Sequence, residues 1–374
     1  MKKNKVVIIG AGLSGLYAAY LLKQKGIDSI ILESRDRIGG RILTSQTTRR
    51  GESEYYDLGP SWFWPGMNRR IESLVKKFSL NAFTQHEEGN YLIDEAKGAP
   101  PKVIPGIYVN TPSSYRIEGG MYALVNAVFE QLNPEQVELN AQVTRVSKDN
   151  NSYIVTYERN EDSFTVEADY VITALPLRIL VDQIGFSPEL PENILNAMVN
   201  TPTWMAAHAK LVAVYEKPFW REDGNSGTAS SRLGPLVEIH DATVNGGKGA
   251  GALFGFIGYN AQTRKTAGEE KLKSLAVEQL TRIFGEQAAK PLDVQLVDWS
   301  QETETATVDD QVQTLHGAYG LPASVDELDG LFIAGTEAAR GYGGYIEGAL
   351  EAAEVAVDKL LQTKNQQSSE AASI

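Results

Sequence analysis

The sequence predicts an α/β fold, and the prediction depends on three features of residues 6–41. A short β-branched run at 6–9 is followed by glycines at 10, 12 and 15 and by an apolar helical pattern over 13–25. A second apolar strand, at 29–32, ends on the acidic residue Glu33. A strand, a G-x-G-x-x-G turn, a helix, a strand and an acidic residue in this order are typical of a Rossmann-type dinucleotide-binding unit.

Each glycine of this turn has its own physical role. Gly10 allows the tight turn, Gly12 lets the backbone approach a pyrophosphate, and Gly15 lets helix and strand pack closely. The helix N-terminus supplies unpaired N–H groups and a partial positive charge to the phosphates. Glu33, about 20 residues further on, is placed to accept hydrogen bonds from the adenosine ribose. The first part of the chain is therefore predicted to bind a dinucleotide.

Local patterns predict the elements that follow. Apolar residues at helical spacing predict helices over 71–78, 122–132, 194–199 and 269–284. Alternating residues predict an antiparallel meander of strands over 137–146, 153–157 and 163–167. A continuous apolar run predicts a buried strand at 170–175, and mainly apolar segments predict strands at 209–215 and 294–299. The polar residues 363–374 are predicted to form a disordered tail.

The C-terminal part of the chain repeats the strand-to-helix pattern. An apolar strand at 331–335 leads to Thr336, and a glycine-rich turn at 341–344 opens a helix at Tyr345. The apolar residues of this helix fall on one face, so it should pack against the core. Its N-terminus is a second place for negative charge. Two such elements suggest one long cofactor, held at its pyrophosphate and at its far end.

Two loops add to this prediction. Residues 34–41 combine three cations with two glycines next to Glu33, and Arg41 could pair bidentately with a phosphate. Residues 57–66 are rich in glycine and aromatic side chains, which suits either a loop against a flat ring or a part of the core.

Length and composition exclude several classes of protein. The 374 residues predict two domains, and the absence of cysteine excludes disulfides, iron–sulfur clusters and thiolate zinc sites. The net charge of −13 argues against nucleic acid or an anionic membrane surface as a partner. Membrane helices need roughly 18 apolar residues, and neither such a run nor a signal-peptide cleavage pattern is found. We expect no metal site and a cytoplasmic protein.

Several segments together resemble the flavin-containing amine oxidases, the family that includes monoamine and polyamine oxidases. These segments are GAGLSGLYAAYLL (10–22), LESRDRIGGR (32–41), DLGPSW (57–62), EGG (118–120), ADYVITALP (168–176), KPFW (217–220) and FIAGTEAARGYGGYIEGALEAAE (332–354). The resemblance runs from residue 5 to about 361 and implies a discontinuous, Rossmann-type FAD-binding domain with a second, mixed-sheet α+β substrate domain. The FAD-binding domain would comprise 1–66, 114–176 and 300–362, and the substrate domain 67–113 and 177–299.

The resemblance also implies which residues contact the cofactor. The loop at 59–62 would lie beside the isoalloxazine ring, the backbone of Val143 would hold adenine, and the N–H of Ile346 would reach the pyrimidine end of the flavin. The expected cofactor-binding residues are Gly10, Gly12, Leu13, Ser14, Gly15, Glu33, Ser34, Arg35, Gly39, Gly40, Arg41, Gly59, Pro60, Ser61, Trp62, Val143, Gly335, Thr336, Gly344, Tyr345 and Ile346. The FAD should be non-covalent, because there is no cysteine to form the family's covalent link.

The expected catalytic residues are Tyr345 and Trp299. Tyr345 matches one wall of the family's aromatic pair around the amine. The second wall should lie between Trp299 and Tyr319, where residues 302–307 read ETETAT. Tyr345 is therefore expected to lack a partner or to use Trp299, Tyr319 or Tyr342.

The family's lysine near flavin N5 is expected just after the strand that ends at Pro176, close to 181–183. Residues 177–191 contain no lysine. Lys210 matches a different lysine of the family and is expected to be structural. The four histidines, His86, His208, His240 and His316, are expected at the surface or in the core rather than in catalysis.

Three functions remain open at this point. The first is an oxidase that passes a hydride equivalent from an amine carbon to flavin N5, with O2 as the acceptor and hydrogen peroxide as a product. The second is a flavin-dependent dehydrogenase or desaturase with a non-amine or biosynthetic substrate, which the missing lysine would suit. The third is a non-catalytic FAD-binding partner protein. The substrate expected is a small molecule, an amine in the first case, and a homodimer is one of the assemblies considered.

Overall fold

The computed structural model describes residues 5–49, 52–106, 111–149, 152–244, 250–312, 316–321, 325 and 328–372. Its strands are β1 (Lys5–Ile9), β2 (Asp28–Leu32), β3 (Thr44–Arg49), β4 (Glu52–Asp57), β5 (Ala82–Thr84), β6 (Asn90–Asp94), β7 (Lys102–Ile104), β8 (Tyr115–Ile117), β9 (Val137–Glu138), β10 (Gln142–Asp149), β11 (Ser152–Arg159), β12 (Asp162–Ala168), β13 (Tyr170–Thr173), β14 (Gly185–Ser187), β15 (Ala209–Tyr215), β16 (Asn225–Ser231), β17 (Leu236–Asp241), β18 (Gly251–Ile257), β19 (Asp293–Asp298) and β20 (Leu331–Ile333). Its helices are α1 (Leu13–Gln24), α2 (Arg69–Lys77), α3 (Tyr122–Phe129), α4 (Leu177–Gln183), α5 (Glu192–Asn200), α6 (Phe219–Glu222), α7 (Ala261–Ala267), α8 (Glu269–Phe284) and α9 (Ile346–Ala372).

A five-stranded parallel sheet unites the two ends of the chain, in the order β20-β13-β1-β2-β9. Val7 pairs with Val171 on one side and with Ile30 on the other. The central strands are buried and apolar, as expected for a parallel sheet covered on both faces. Because parallel strands end at the same edge, the residues after β1, β2, β13 and β20 meet there. The predicted Rossmann-type unit is confirmed.

Two helices cover one face of this sheet. Helices α1 and α9 pack against each other, and both contribute to the same apolar core. The hydroxyl of Ser14 donates a hydrogen bond to the carbonyl of Ala334, which ties the first helix to the last strand. The glycine-bearing start of α1 and the segment leading to α9 are thereby held at one edge of the sheet.

A seven-stranded mixed sheet forms the second large body, in the order β19-β15-β18-β17-β16-β6-β7. One of its faces packs against α8 in an apolar core that contains Leu211, Leu253 and Leu280. The opposite face carries Phe254 and Phe256 and turns toward the edge of the parallel sheet. A fold with a Rossmann-type domain and a second mixed-sheet body was predicted, and the structure confirms it.

The structure corrects three local predictions. The expected strand at 137–146 is two strands, because Asn140 adopts a left-handed conformation with φ of 56° between them. Strand β14, placed in the substrate domain by the sequence, pairs with β10 of the other domain. The expected disordered tail is wrong as far as Ala372, since α9 continues without glycine or proline and Gln367 accepts a hydrogen bond from Tyr170. Residues 373–374 lie outside the described part.

No helix within the described residues has the length and apolar character that crossing a membrane requires.

Candidate active site

A cavity of about 980 Å³ opens where the strands of the parallel sheet end, between that sheet and the seven-stranded sheet. All the residues that the sequence predicted for cofactor binding or catalysis line this cavity, with the exception of Gly15. Gly15 serves the packing of α1, because a Cβ at this position would lie 2.0 Å from the carbonyl oxygen of Gly10. The carboxyl edge of a parallel sheet is where ligands bind in open α/β folds.

The turn between β1 and α1 fits a pyrophosphate. Gly10 has φ of 101°, which a side chain would strain, and a Cβ added at Gly12 would meet no protein atom within 4 Å. Gly12 is also the N-cap of α1, and no side chain caps the helix there. The first N–H groups of α1 therefore point toward open space next to the cavity, where an anion can accept from them.

Glu33 follows β2 at the same edge, with its side chain 4% exposed. One carboxylate oxygen accepts from the N–H of Ala11 at 2.7 Å and the other from the N–H of Arg35 at 2.9 Å. These two bonds fix the carboxylate beside the pyrophosphate turn. A carboxylate has about four acceptor positions, so it keeps the capacity to receive ribose hydroxyls.

We expect Glu33→Ala to weaken FAD binding more than Glu33→Gln. Alanine removes all acceptors, whereas glutamine keeps one oxygen but turns an N–H group toward a backbone donor. A hydrogen bond to a charged group is worth roughly 1.5–3 kcal/mol. Fluorescence titration of the apoproteins with FAD measures the difference. Wild-type affinity in both variants would show that Glu33 does not bind the ribose.

An ion pair missed by the sequence analysis lies next to the phosphate turn. Glu337 is fully buried and receives two parallel hydrogen bonds from Arg41, at 2.7 and 3.2 Å. The side chain of Arg41 is 25% exposed and lines the cavity. Because a guanidinium has five N–H groups, Arg41 can hold Glu337 and still donate to an anion. Glu337 directly follows Thr336, which the sequence analysis expected to contact the cofactor. This adjacency was the sequence signal that could have identified Glu337 as a residue of the site.

Arg35 turns toward a segment that the sequence had linked to the substrate. Its guanidinium donates to the hydroxyl of Thr305 at 2.9 Å and lies 3.5 Å from Glu302. Glu304 is 3.8 Å away, and both Glu304 and Thr305 line the cavity. The ETETAT stretch therefore supports Arg35 and forms part of the cavity wall.

The cavity contains a lysine, Lys210, for which the sequence analysis expected a structural role. Lys210 lies in β15 rather than at 181–183, and it is 3% exposed. Its Nζ donates to the carbonyl of Gly59 at 2.9 Å and to the hydroxyl of Ser61 at 2.7 Å, and it lies 4.1 Å from the centre of the Phe254 ring. Burial lowers the pKa of Lys210 to about 7. The sequence signal that could have identified Lys210 as a site residue was its position as a charged residue within an otherwise apolar strand.

Aromatic rings surround Tyr345 in an arrangement that the sequence did not predict. The Tyr345 ring lies 5.3 Å from His316 and 6.3 Å from Trp204, measured between ring centres. The ring of Tyr319 contacts that of His316, and the indole N–H of Trp299 donates a hydrogen bond to the carbonyl of Leu58. The ring partners of Tyr345 are thus Trp204 and His316, neither of which was among the expected candidates.

Two further histidines lie in the wall of the cavity rather than at the outer surface of the protein. They are His208, in which burial lowers the pKa, and His240, whose Nε2 lies 2.6 Å from a carboxylate oxygen of Glu238. Thr336, expected to contact the cofactor, directs its hydroxyl to the carbonyl of Tyr345 at 2.8 Å. This bond fixes the backbone just before α9, and the first N–H groups of α9 lie beside the cavity.

These features define a dinucleotide-binding protein as the class of protein. The glycine turn, Glu33 and Arg41 fit the nucleotide and phosphates of one long cofactor. A buried lysine and a cluster of aromatic rings occupy other parts of the same cavity. The cavity has the 300–1,000 Å³ typical of small-molecule sites, at the upper end as a long cofactor requires.

Comparison with known proteins identifies the family. Residues 106–361 match the model of the flavin-containing amine oxidoreductases, and residues 8–78 match that of an NAD(P)-binding Rossmann-like domain. A probable flavin-containing monoamine oxidase A of Dictyostelium discoideum is 22% identical, over 96% of this chain and 98% of its own length. The flavin-containing amine oxidase B of Homo sapiens is 26% identical, over 96% of this chain and 86% of its own length.

Two solved structures share the fold. Cyclohexylamine oxidase from Brevibacterium oxydans has a TM-score of 0.77 at 19% identity and covers 98% of this chain and 100% of its own. Putrescine oxidase bound to putrescine has a TM-score of 0.75 at 21% identity, covering 96% and 99%. The chain belongs to the flavin-containing amine oxidoreductase family, and it is an FAD-dependent oxidoreductase. The resemblance noted in the sequence is confirmed.

Proposed function

We propose that this protein oxidises the C–N bond of a small amine to an imine, with O2 as the final acceptor and hydrogen peroxide as a product. The observation that carries the proposal is Lys210, a buried lysine with a lowered pKa in the same cavity as the predicted flavin loop and Tyr345. Bound FAD would supply the acceptor for the hydride equivalent and the reaction with O2. Water would then hydrolyse the imine to a carbonyl compound and an amine or ammonia.

Lys210 is suited to take a proton from the substrate. An amine must lose its ammonium proton before its lone pair can assist loss of hydride from the adjacent carbon. Neutral Lys210 has two N–H groups, and the structure provides two acceptors for them, Gly59 and Ser61. Its lone pair is then free for a proton. With a pKa of about 7, the lysine is neutral for much of the time at physiological pH.

The remaining residues hold the reacting groups and exclude water. The ring of Tyr345, supported by Trp204 and His316, offers an electron-rich face to a nitrogen that becomes cationic during the reaction. Phe254 and Phe256 give the cavity an apolar wall. The start of α9 would place N–H groups near the developing negative charge of the cofactor.

The proposal is tested by adding amines to the FAD-loaded protein in air and measuring peroxide and O2 uptake. We expect one peroxide for each O2 consumed and for each carbonyl product formed. Flavin reduction by an amine without peroxide release would instead indicate a dehydrogenase.

We expect acid or heat to release all of the FAD. The chain contains no cysteine for a covalent link, and the phosphate turn and the start of α9, which both line the cavity, would hold the two ends of the cofactor through non-covalent contacts. The measurement is flavin fluorescence of the supernatant and of the denatured chain on a gel. Flavin that stays with the chain would overturn this and point to a link through a histidine.

We expect Tyr345→Leu to slow flavin reduction by substrate about tenfold, with FAD still bound. Leucine keeps apolar bulk but loses the ring quadrupole, an effect of roughly 0.5–2 kcal/mol. Tyr345→Phe keeps the ring and should cost little. Anaerobic stopped-flow compares the two variants with the wild type. If both variants lose stability without a selective kinetic effect, Tyr345 only packs the start of α9.

A further inference from the structure

The turn that leads into Tyr345 adopts a conformation that its residues do not favour by themselves. Tyr342 has φ of 55°, in the left-handed region that residues with a side chain rarely adopt. The N–H of Tyr345 donates to the carbonyl of Tyr342 at 3.0 Å, so the backbone at Tyr342 helps to fix the position of Tyr345. Such a conformation persists only where surrounding contacts enforce it.

A carboxylate from the second turn of α9 supplies contacts of this kind. Oε1 of Glu351 accepts from the N–H of Arg340 at 3.0 Å and from the N–H of Gly341 at 3.1 Å. Glycine at 341 allows this close approach, since a Cβ there would lie 3.0 Å from the other carboxylate oxygen. The two residues directly before Tyr342 are therefore bonded to the helix that begins directly after Tyr345.

Two further contacts hold the same turn. The carbonyl of Tyr342 lies against the start of α9, where a Cβ added at Gly348 would overlap with its oxygen. The hydroxyl of Thr336 donates to the carbonyl of Tyr345 at 2.8 Å. Of these contacts, those of Glu351 involve a charged acceptor, which makes the stronger kind of hydrogen bond.

Arg70 on α2 places a positive charge beside Glu351. Its Nη1 atom lies 3.9 Å from Glu351 and 3.4 Å from Glu347, and its Nε atom lies 2.6 Å from Glu354. The three glutamates are four and three positions apart, so they lie on one face of α9. Glu354 belongs to the same cluster but accepts from the hydroxyl of Tyr17, at 3.1 Å, rather than from the turn.

We propose that Glu351 is a positioning residue of the candidate active site, which holds the turn at 340–342 in the conformation that sets the ring of Tyr345 in the cavity. The Tyr345 side chain lines the cavity, whereas Glu351 does not, so Glu351 acts through Tyr345. This inference rests on the proposed amine oxidation, because Tyr345 is the residue that we expect to face the substrate nitrogen.

The test compares Glu351→Ala with Glu354→Ala, each loaded with FAD. Both variants remove one carboxylate from the cluster around Arg70, whereas Glu351→Ala also removes the acceptor of the turn. Glu351→Gln is the conservative variant, since its amide oxygen can still accept from the turn. Anaerobic flavin reduction by an amine measures the kinetic effect. Hydrogen exchange of the peptide that contains 340–345 measures the order of the turn without any substrate.

We expect Glu351→Ala to slow flavin reduction at saturating amine about tenfold, the effect expected of Tyr345→Leu. Hydrogen exchange at 340–345 should become about tenfold faster or more. Glu354→Ala should change neither quantity, and Glu351→Gln should recover most of the rate. Because Glu351 acts through Tyr345, adding Glu351→Ala to Tyr345→Leu should slow reduction further by less than about twofold.

Equal hydrogen exchange in Glu351→Ala and Glu354→Ala would overturn the positioning role, and so would equal rates of reduction by an amine that reduces the wild type. An effect of Glu351→Ala that multiplies in full with that of Tyr345→Leu would also overturn it, because the glutamate would then act elsewhere. Faster exchange in Glu351→Ala than in Glu354→Ala, with no reduction of the wild-type flavin by any amine, would support the hold on the turn and overturn the proposed oxidation.

Discussion

Lys210→Met should slow flavin reduction by amines about 100-fold or more, which is the range seen when a general base is removed. Methionine fills a similar volume but can neither accept a proton nor donate to Gly59 and Ser61. The second-order rate constant of reduction should rise with pH through about 7 in the wild type, as Lys210 loses its proton. In the variant this step should disappear, and only the titration of the free amine at higher pH should remain. Anaerobic stopped-flow between pH 6 and about 10 measures both profiles.

Stability provides the control for this variant. Lys210 has a lower pKa in the folded chain than in the unfolded chain, where it is about 10.4. Between these values the unfolded chain binds more protons, so the stability of the wild type rises with pH over that interval. Burial of the protonated Lys210 side chain lowers the free energy of unfolding of the wild type most below pH 7. The variant should therefore be at least as stable at pH 7, with a difference that closes toward pH 10. An unchanged pH step in a stable, FAD-loaded variant would remove Lys210 from the reaction.

Arg41→Ala should weaken FAD binding about 100-fold or more and should also destabilise the protein. The variant would lack the charge-assisted hydrogen bonds that we propose Arg41 donates to phosphate, each worth roughly 1.5–3 kcal/mol. It also leaves the fully buried Glu337 without a counter-charge, and breaking a buried pair in this way costs about 3–5 kcal/mol. FAD titration and thermal unfolding of the apoprotein measure the two effects separately.

A double variant separates these two roles of Arg41. Arg41→Ala combined with Glu337→Gln removes the stranded carboxylate and should recover most of the stability. It should not recover FAD affinity, because the phosphate donor is still absent. If the double variant binds FAD as tightly as the wild type, Arg41 acts only as the partner of Glu337 and not on the cofactor.

The dinucleotide-binding part of the fold could be predicted from the sequence because its signals are local. The glycines at 10, 12 and 15 and the acid at 33 are required by the backbone path of one turn and one strand. The helix at 269–284 was predicted with the bounds that the structure gives it. Such elements are determined by residues that are close in the chain. The periodicity of the sequence therefore predicts them directly.

The cavity residues that the sequence missed depend on packing between distant segments. Lys210 could be assigned to the cavity only when β15 was placed in its sheet, because its acceptors lie in the loop at 59–61. Glu238 faces the cavity because of a bulge, and the register of two strands is not visible in either strand alone. Trp204 contacts Tyr345, although the two residues are more than a hundred positions apart in the sequence. The tail prediction failed because composition does not show the anchor from Tyr170 to Gln367.

Anaerobic titration of the FAD-loaded protein with a panel of primary monoamines and linear diamines tests the central claim most directly. We predict that at least one amine removes the visible absorbance of the oxidised flavin, and that admitting O2 restores the absorbance with one equivalent of peroxide. Dithionite serves as the control that the bound flavin can be reduced. A protein that holds FAD and is reduced by dithionite, yet keeps its oxidised spectrum with every amine, would contradict the account.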